Sequence, residues 1–138
     1  MISPSSKTSF SLLIASASLA VTAFAVPVIA QSPGLSLVAG LQKGEWTITF
    51  RDGRPGRRIC LRDGADLVQL QHTGENCSRF VIEDNPTEAT VQYTCRGNGY
   101  GRTTIRRETG ALIQIESQGI ANGQPFELSA EGRRTASC

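Results

Sequence analysis

One histidine and four cysteines are the residues of this chain with the strongest intrinsic chemistry, and their spacing limits what they can do. His72 is the only side chain that ordinarily titrates near neutrality, and so the only conventional general base. It lies in the polar stretch Gln71-His72-Thr73-Gly74. A nucleophile beside it would be a Ser on a G-x-S-x-G elbow, which the sequence lacks, or a free Cys. The sequence therefore places His72 in solvent as the C-terminal cap of a short helix, dispensable to the protein's work. Cys60, Cys77, Cys95 and Cys138 are separated by 17, 18 and 43 positions. Structural zinc sites gather their ligands in C-x2-4-C pairs, so this spacing reads as two disulfides rather than a metal site.

The remaining motifs reduce to local structure. Arg96-Gly-Asn-Gly-Tyr-Gly101 is glycine-rich, but a phosphate loop needs a following Lys-Ser/Thr and a helix N-terminus, whereas Arg102-Thr103-Thr104 continues as a strand. Glu83 and Asp84 point to opposite faces of a strand, and Asp63 with Asp66 belongs to a helix start. No catalytic, cofactor-binding or metal-binding residues are assigned, and no cofactor is expected. Three doublets, Arg57-Arg58, Arg106-Arg107 and Arg133-Arg134, are more informative, because the guanidinium fork grips carboxylate or phosphate at two points. Adjacent strand residues face opposite ways, so each doublet offers one Arg per face. Cross-strand pairing with Glu116 and its neighbours is the expected use. Arg102, Arg106 and Arg133 are the candidate anion contacts.

The elements that must position these residues follow from a period of two. Trp46, Ile48 and Phe50 alternate with Thr47 and Thr49, and a turn at Asp52 to Gly56 returns the chain through Arg58 to Leu61. Between Asp63 and Gln71 the period changes to that of a short helix capped by Asp63. Arg79 to Glu83 and Thr90 to Cys95 form a hairpin about Asn85-Pro86. A two-residue turn at Asn122-Gly123 pairs Ala121 with Gln124, Ser117 with Leu128 and Ile115 with Ala130. A three-residue turn with Gly110 left-handed pairs Ile105 with Ile113 and Arg102 with Glu116. The expected fold is all-β: an antiparallel meander of about seven strands forming a curved sheet or half-open barrel with one short helix. Strand polarity then selects Cys60–Cys138 and Cys77–Cys95, since Cys77 opens and Cys95 closes one hairpin.

The chain's formal charge of +2 is too small and mixed for a nucleic-acid partner. Lys7, the apolar run from Phe10 to Val26 and the small residues Val28 and Ala30 read as a signal peptide cut before Gln31. The expected organisation is a cleaved signal peptide at 1–30, an N-terminal linker at 31–43 and one all-β domain at 44–138. That implies a periplasmic or secreted protein with no stable membrane span after processing.

Gly44-Glu45-Trp46, Cys60-Leu61, the hairpin cysteines Cys77 and Cys95, and Arg133-Arg134 before Cys138 resemble the exported bacterial proteins grouped as domain of unknown function 3617. The resemblance covers most of residues 40–138 and implies an exported all-β domain without an established activity. The expected function is a non-catalytic envelope domain that binds a small apolar or anionic ligand. The alternative is a protein-interaction module, such as an inhibitor of a wall-degrading enzyme. Tyr93-Thr94-Cys95 is similar to the Tyr-x-Cys of lysozyme-inhibitor proteins. The partner is accordingly an unidentified small ligand or envelope protein.

Overall fold

Alternating apolar and polar side chains set seven strands. They are β1 (Gly44–Phe50), β2 (Arg57–Leu61), β3 (Cys77–Asp84), β4 (Glu88–Cys95), β5 (Gly99–Thr109), β6 (Leu112–Ala121) and β7 (Gln124–Ala136). The computed structural model describes residues 34–138, so the expected leader and its cleavage position lie outside the described residues. All neighbouring strands pair antiparallel in one sheet of order β2-β1-β7-β6-β5-β4-β3. Strands β3 to β7 are thus a meander, with the β1–β2 hairpin laid against β7. The sheet does not close, and β2 and β3 are its edges.

One face of the sheet builds the core. Trp46, Ile48, Tyr93, Ile105, Ile113 and Ile115 are at most 1% exposed and pack beneath a thin helical layer. That layer comprises α1 (Ser36–Ala39), α2 (Ala65–Val68) and a 3-10 turn at Leu70–His72. The cap expected at Asp63 falls instead on Gly64, which is left-handed at φ 82° and offers no side chain, while Asp63 just before it accepts the Ala65 amide at 3.0 Å. Leu67 and Leu70 both turn into the core.

The segment expected as a linker contributes to that core. Leu35, Leu37, Val38 and Leu41 are all buried there. A one-turn helix cannot hold itself in water. Burial of side chains such as Leu37 and Val38, at about 1.5–3 kcal/mol each, holds α1 in place. Trp46 adds a polar tie, its indole N–H donating to the Gln42 carbonyl at 3.0 Å.

Registers show where pattern and geometry agree or part. Asn122 and Gly123 adopt φ of 49° and 77°, and β6 pairs with β7 as Ala121 with Gln124, Ser117 with Leu128 and Ile115 with Ala130. The β5–β6 hairpin corrects the expected register by two residues: Ile105 faces Ile115, and Arg102 faces Gln118 rather than Glu116. The chain turns at Gly110 and Ala111, Gly110 does not take positive φ, and an irregularity between Arg107 and Thr109 absorbs the extra residue.

Strand β3 departs from the rule that alternating apolar residues mark the core side. Phe80 and Ile82 do not supply its core side and are 70% and 43% exposed. Cys77 and Val81 stand opposite the buried Cys95 and Val91 instead. Cys77 faces Cys95 directly and is bonded to it, the pairing runs regularly from there to Val81, and a bulge falls between Val81 and Glu83. Cys60 is bonded to Cys138.

Candidate ligand-binding sites

His72 is a core residue, which corrects its expected solvent position: it is 3% exposed. The 3-10 turn after α2 carries the ring inward, where it meets Tyr93 and Phe126 edge-on. Nε2 lies 3.1 Å from the Asn98 carbonyl, which can only accept, so Nε2 carries the proton. Nδ1 therefore accepts the Tyr93 O–H at 3.0 Å. Burial pushes the Tyr93 phenol above its ordinary value, opposed by the nearby Ser117 hydroxyl and assisted by the charge of Glu75. Next to this pair, Thr103 donates to the Val68 carbonyl at 2.5 Å and accepts from Ser117 at 2.7 Å. With both ring nitrogens spent on internal partners, His72 is arranged as a structural tie.

The glycine-rich loop completes that tie. It is the β4–β5 turn, with Gly97 and Gly99 at positive φ, and its Asn98 carbonyl accepts from both His72 and the Asn122 amide. Gly101 has a different task. A Cβ there would sit 2.5 Å from the Tyr93 ring, so only glycine lets the phenol reach His72.

Each Arg doublet divides between two roles, and none pairs with Glu116. Arg57, Arg107 and Arg134 donate to backbone carbonyls outside the sheet, those of Leu70 (2.8 Å), Pro86 (2.8 Å) and Lys43 (2.7 Å) respectively. Their neighbours take carboxylates: Arg58 with Glu45, Arg106 with Glu108 and Arg133 with Glu131. The hydrogen bonds from Arg133 and then Gln114 hold the Glu131 carboxyl below its usual range. Two of the three candidate anion contacts, Arg106 and Arg133, are therefore already matched by acids.

Arg102 differs, for it makes no ion pair or side-chain hydrogen bond among the described residues. It lies on the sheet face away from the core, in a cleft of about 300 Å³ with Thr104, Glu116, Gln118, Glu127 and Ser129. Two carboxylates against one guanidinium make this a poor site for a simple anion. Neither of two clefts lined by Arg102, this one and a neighbouring one beside Tyr100 and Phe126, contains Arg106 or Arg133.

A larger groove of about 530 Å³ opens on the core side of β3. Leu35, Ala65, Val68, Val81 and Val91 give it apolar walls, and Asp63, Arg79 and Asp84 mark its polar margin. Asp84 is occupied by the Ser36 amide at 2.7 Å and hydroxyl at 3.1 Å, which dock α1 over the groove. Arg79 reaches Gln69 at 3.3 Å and keeps donor capacity to spare. Sequence reasoning missed this groove. The available signal was the apolar series Leu35, Leu37, Val38 and Leu41, which is too dense for a linker.

Glu75 stands near the sulfurs of Cys77 and Cys95 in a geometry a metal could use, but both sulfurs are in the disulfide and neither is the thiolate a metal takes. Two disulfides fit an oxidising compartment, and among the described residues no helix is long and apolar enough to cross a membrane. Comparison with family models, curated proteins and solved structures found no match to this chain.

Proposed function

We propose that this is a non-catalytic binding domain of the periplasm or extracellular space, of the domain of unknown function 3617 type, that holds a small ligand with an apolar body. The observation that carries the reading is the groove between α2 and β3–β4, whose volume of about 530 Å³ falls in the range of small-molecule sites. Arg79 on its margin suits a ligand with one anionic end, which joins the apolar and anionic alternatives in a single molecule. The internal engagement of His72 and the oxidation of all four cysteines support a non-catalytic role.

Native mass spectrometry of the protein purified from its own envelope tests for a retained ligand. Titration with anilinonaphthalene sulfonate, which has apolar rings and one sulfonate, tests the groove directly. Saturable one-to-one binding that Ala65→Trp blocks and Arg79→Gln weakens is expected. Binding that is unsaturable, or indifferent to Ala65→Trp, overturns the assignment. A second reading, a protein-interaction module such as an inhibitor of a wall-degrading enzyme, has one observation on its side: the exposed apolar run Phe80-Val81-Ile82 on an edge strand. A stoichiometric complex with a purified wall-degrading enzyme, lost in Phe80→Lys, is its signature.

A further inference from the structure

We infer that the domain associates with a second copy of itself through β3, the two edge strands pairing antiparallel to join two sheets into one. The strand is paired on one side by β4, and among the described residues no backbone group outside that hairpin bonds to Ser78–Ile82. Every residue from Ser78 to Asp84 is exposed. Phe80, Val81 and Ile82 stand 70%, 46% and 43% exposed in succession. A bare ladder edge carrying consecutive apolar side chains is a template for another strand.

The two edges of this sheet are not alike. On β2, Arg57 and Arg58 carry charge, Arg57 folds over to the Leu70 carbonyl, and Ile59 packs against the core. That edge is also short, five residues against the eight of β3, and short edges resist pairing.

The charges of β3 select the occupant. Arg79 lies toward the start of the strand, and Glu83 and Asp84 at its end. An antiparallel copy centred on Val81 brings each Arg79 to the acidic end of its mate, sets Val81 beside its own counterpart and places Phe80 opposite the mate's Ile82. A parallel copy would instead align like charges. Antiparallel pairing of one strand with itself is two-fold and closed, so it stops at a dimer rather than growing into a fibre. The bulge between Val81 and Glu83 shortens the regular ladder, and the dimer is therefore concentration-dependent rather than obligate.

Sedimentation velocity of the purified exported protein from about 1 μM to about 1 mM tests this. The expected result is a rise from monomer to dimer across that range, with no larger species. Phe80→Lys should weaken association by at least about tenfold. Arg79→Glu and Glu83→Arg should each weaken it, and the doubly substituted chain should recover it, because the swap restores complementarity. An unchanged circular dichroism melt in the double variant separates this effect from misfolding. Monomer at every concentration, open-ended oligomers, or failure of the swap to rescue would each overturn the inference. A monomer that binds a foreign protein through Phe80 would assign the edge to that partner instead.

Discussion

The Nδ1 of His72 stands 3.0 Å from the phenolic oxygen of Tyr93, which links the turn after α2 to the middle of β4. A third residue, Asn98 of the β4–β5 turn, holds the other ring nitrogen at 3.1 Å. Three separate segments thus converge on one imidazole. His72→Ala leaves a buried phenol donor and a carbonyl acceptor without their partner, which costs about 1–3 kcal/mol. Urea unfolding should show the midpoint fall with little change in slope. A change within experimental error would mean that water replaces the ring at no cost.

Tyr93 makes the alkaline limit of stability predictable in sign. Burial raises its pKa in the folded protein above the ordinary 10.0, so the native state holds the proton more tightly than the unfolded chain. Stability from this group is whole below pH 10.0 and is lost as pH climbs through that value toward the raised one. Phenolate absorbance followed in a Tyr100→Phe background reports Tyr93 alone, as the sequence has two Tyr. It should appear late and together with unfolding. Tyr93→Phe should flatten the alkaline limb while lowering stability at neutral pH.

Much of this arrangement is legible in the sequence, and what is hidden is hidden for physical reasons. A one-residue slip of β6 against β7 would send Ile115 and Leu128 to the solvent face, so the turn at Asn122-Gly123 and the side-chain pattern agree on one register. A two-residue slip of β5 against β6 leaves every side chain on its face. The pattern therefore cannot separate Ile113 from Ile115 as the partner of Ile105. His72 reads as polar because its neighbours Gln71 and Thr73 are polar, yet successive side chains of a 3-10 turn point about 120° apart, so His72 is buried while Thr73 beside it is exposed. The groove depends on α1, whose single turn is too short to show a helical period. The apolar run of β3 reads as core because nothing local says that the strand is an edge.

The division of labour within the Arg doublets predicts unequal effects of the same substitution. Arg106 meets Glu108 at 3.5 Å in solvent, and exposed pairs of this kind contribute about 0–1 kcal/mol. Arg107 donates to the Pro86 carbonyl at 2.8 Å and to the Gly40 carbonyl at 3.4 Å, bridging the β3–β4 turn and the end of α1. Charge-assisted bonds to backbone acceptors are worth about 1.5–3 kcal/mol. Thermal melts of Arg106→Ala and Arg107→Ala should place the second well below the first. Equal melting temperatures would show that the carbonyl contacts exchange freely with water.

The two disulfides should separate under mild reduction. Cys60 and Cys138 are exposed, whereas Cys77 and Cys95 are 9% and 2% exposed, so a thiol reagent reaches the first pair more readily. The bridge from Cys60 fastens edge strand β2 to the end of the chain beyond β7, with a sequence separation of 78 residues against 18 for the other. In the chain-entropy description the longer loop restrains the unfolded state more, by about 1 kcal/mol. Alkylation after graded dithiothreitol, followed by peptide mapping, should label Cys60 and Cys138 first. The Cys60→Ser/Cys138→Ser protein should then be less stable than Cys77→Ser/Cys95→Ser, provided the buried pair leaves no cavity. Replacing that inner pair by Ala and Val in turn measures the packing contribution, so that the loop effect can be read alone. If the inner bridge were reduced first, β3 would have to open from β4 ahead of the rest of the sheet, and the edge strand would be the least stable part of the fold.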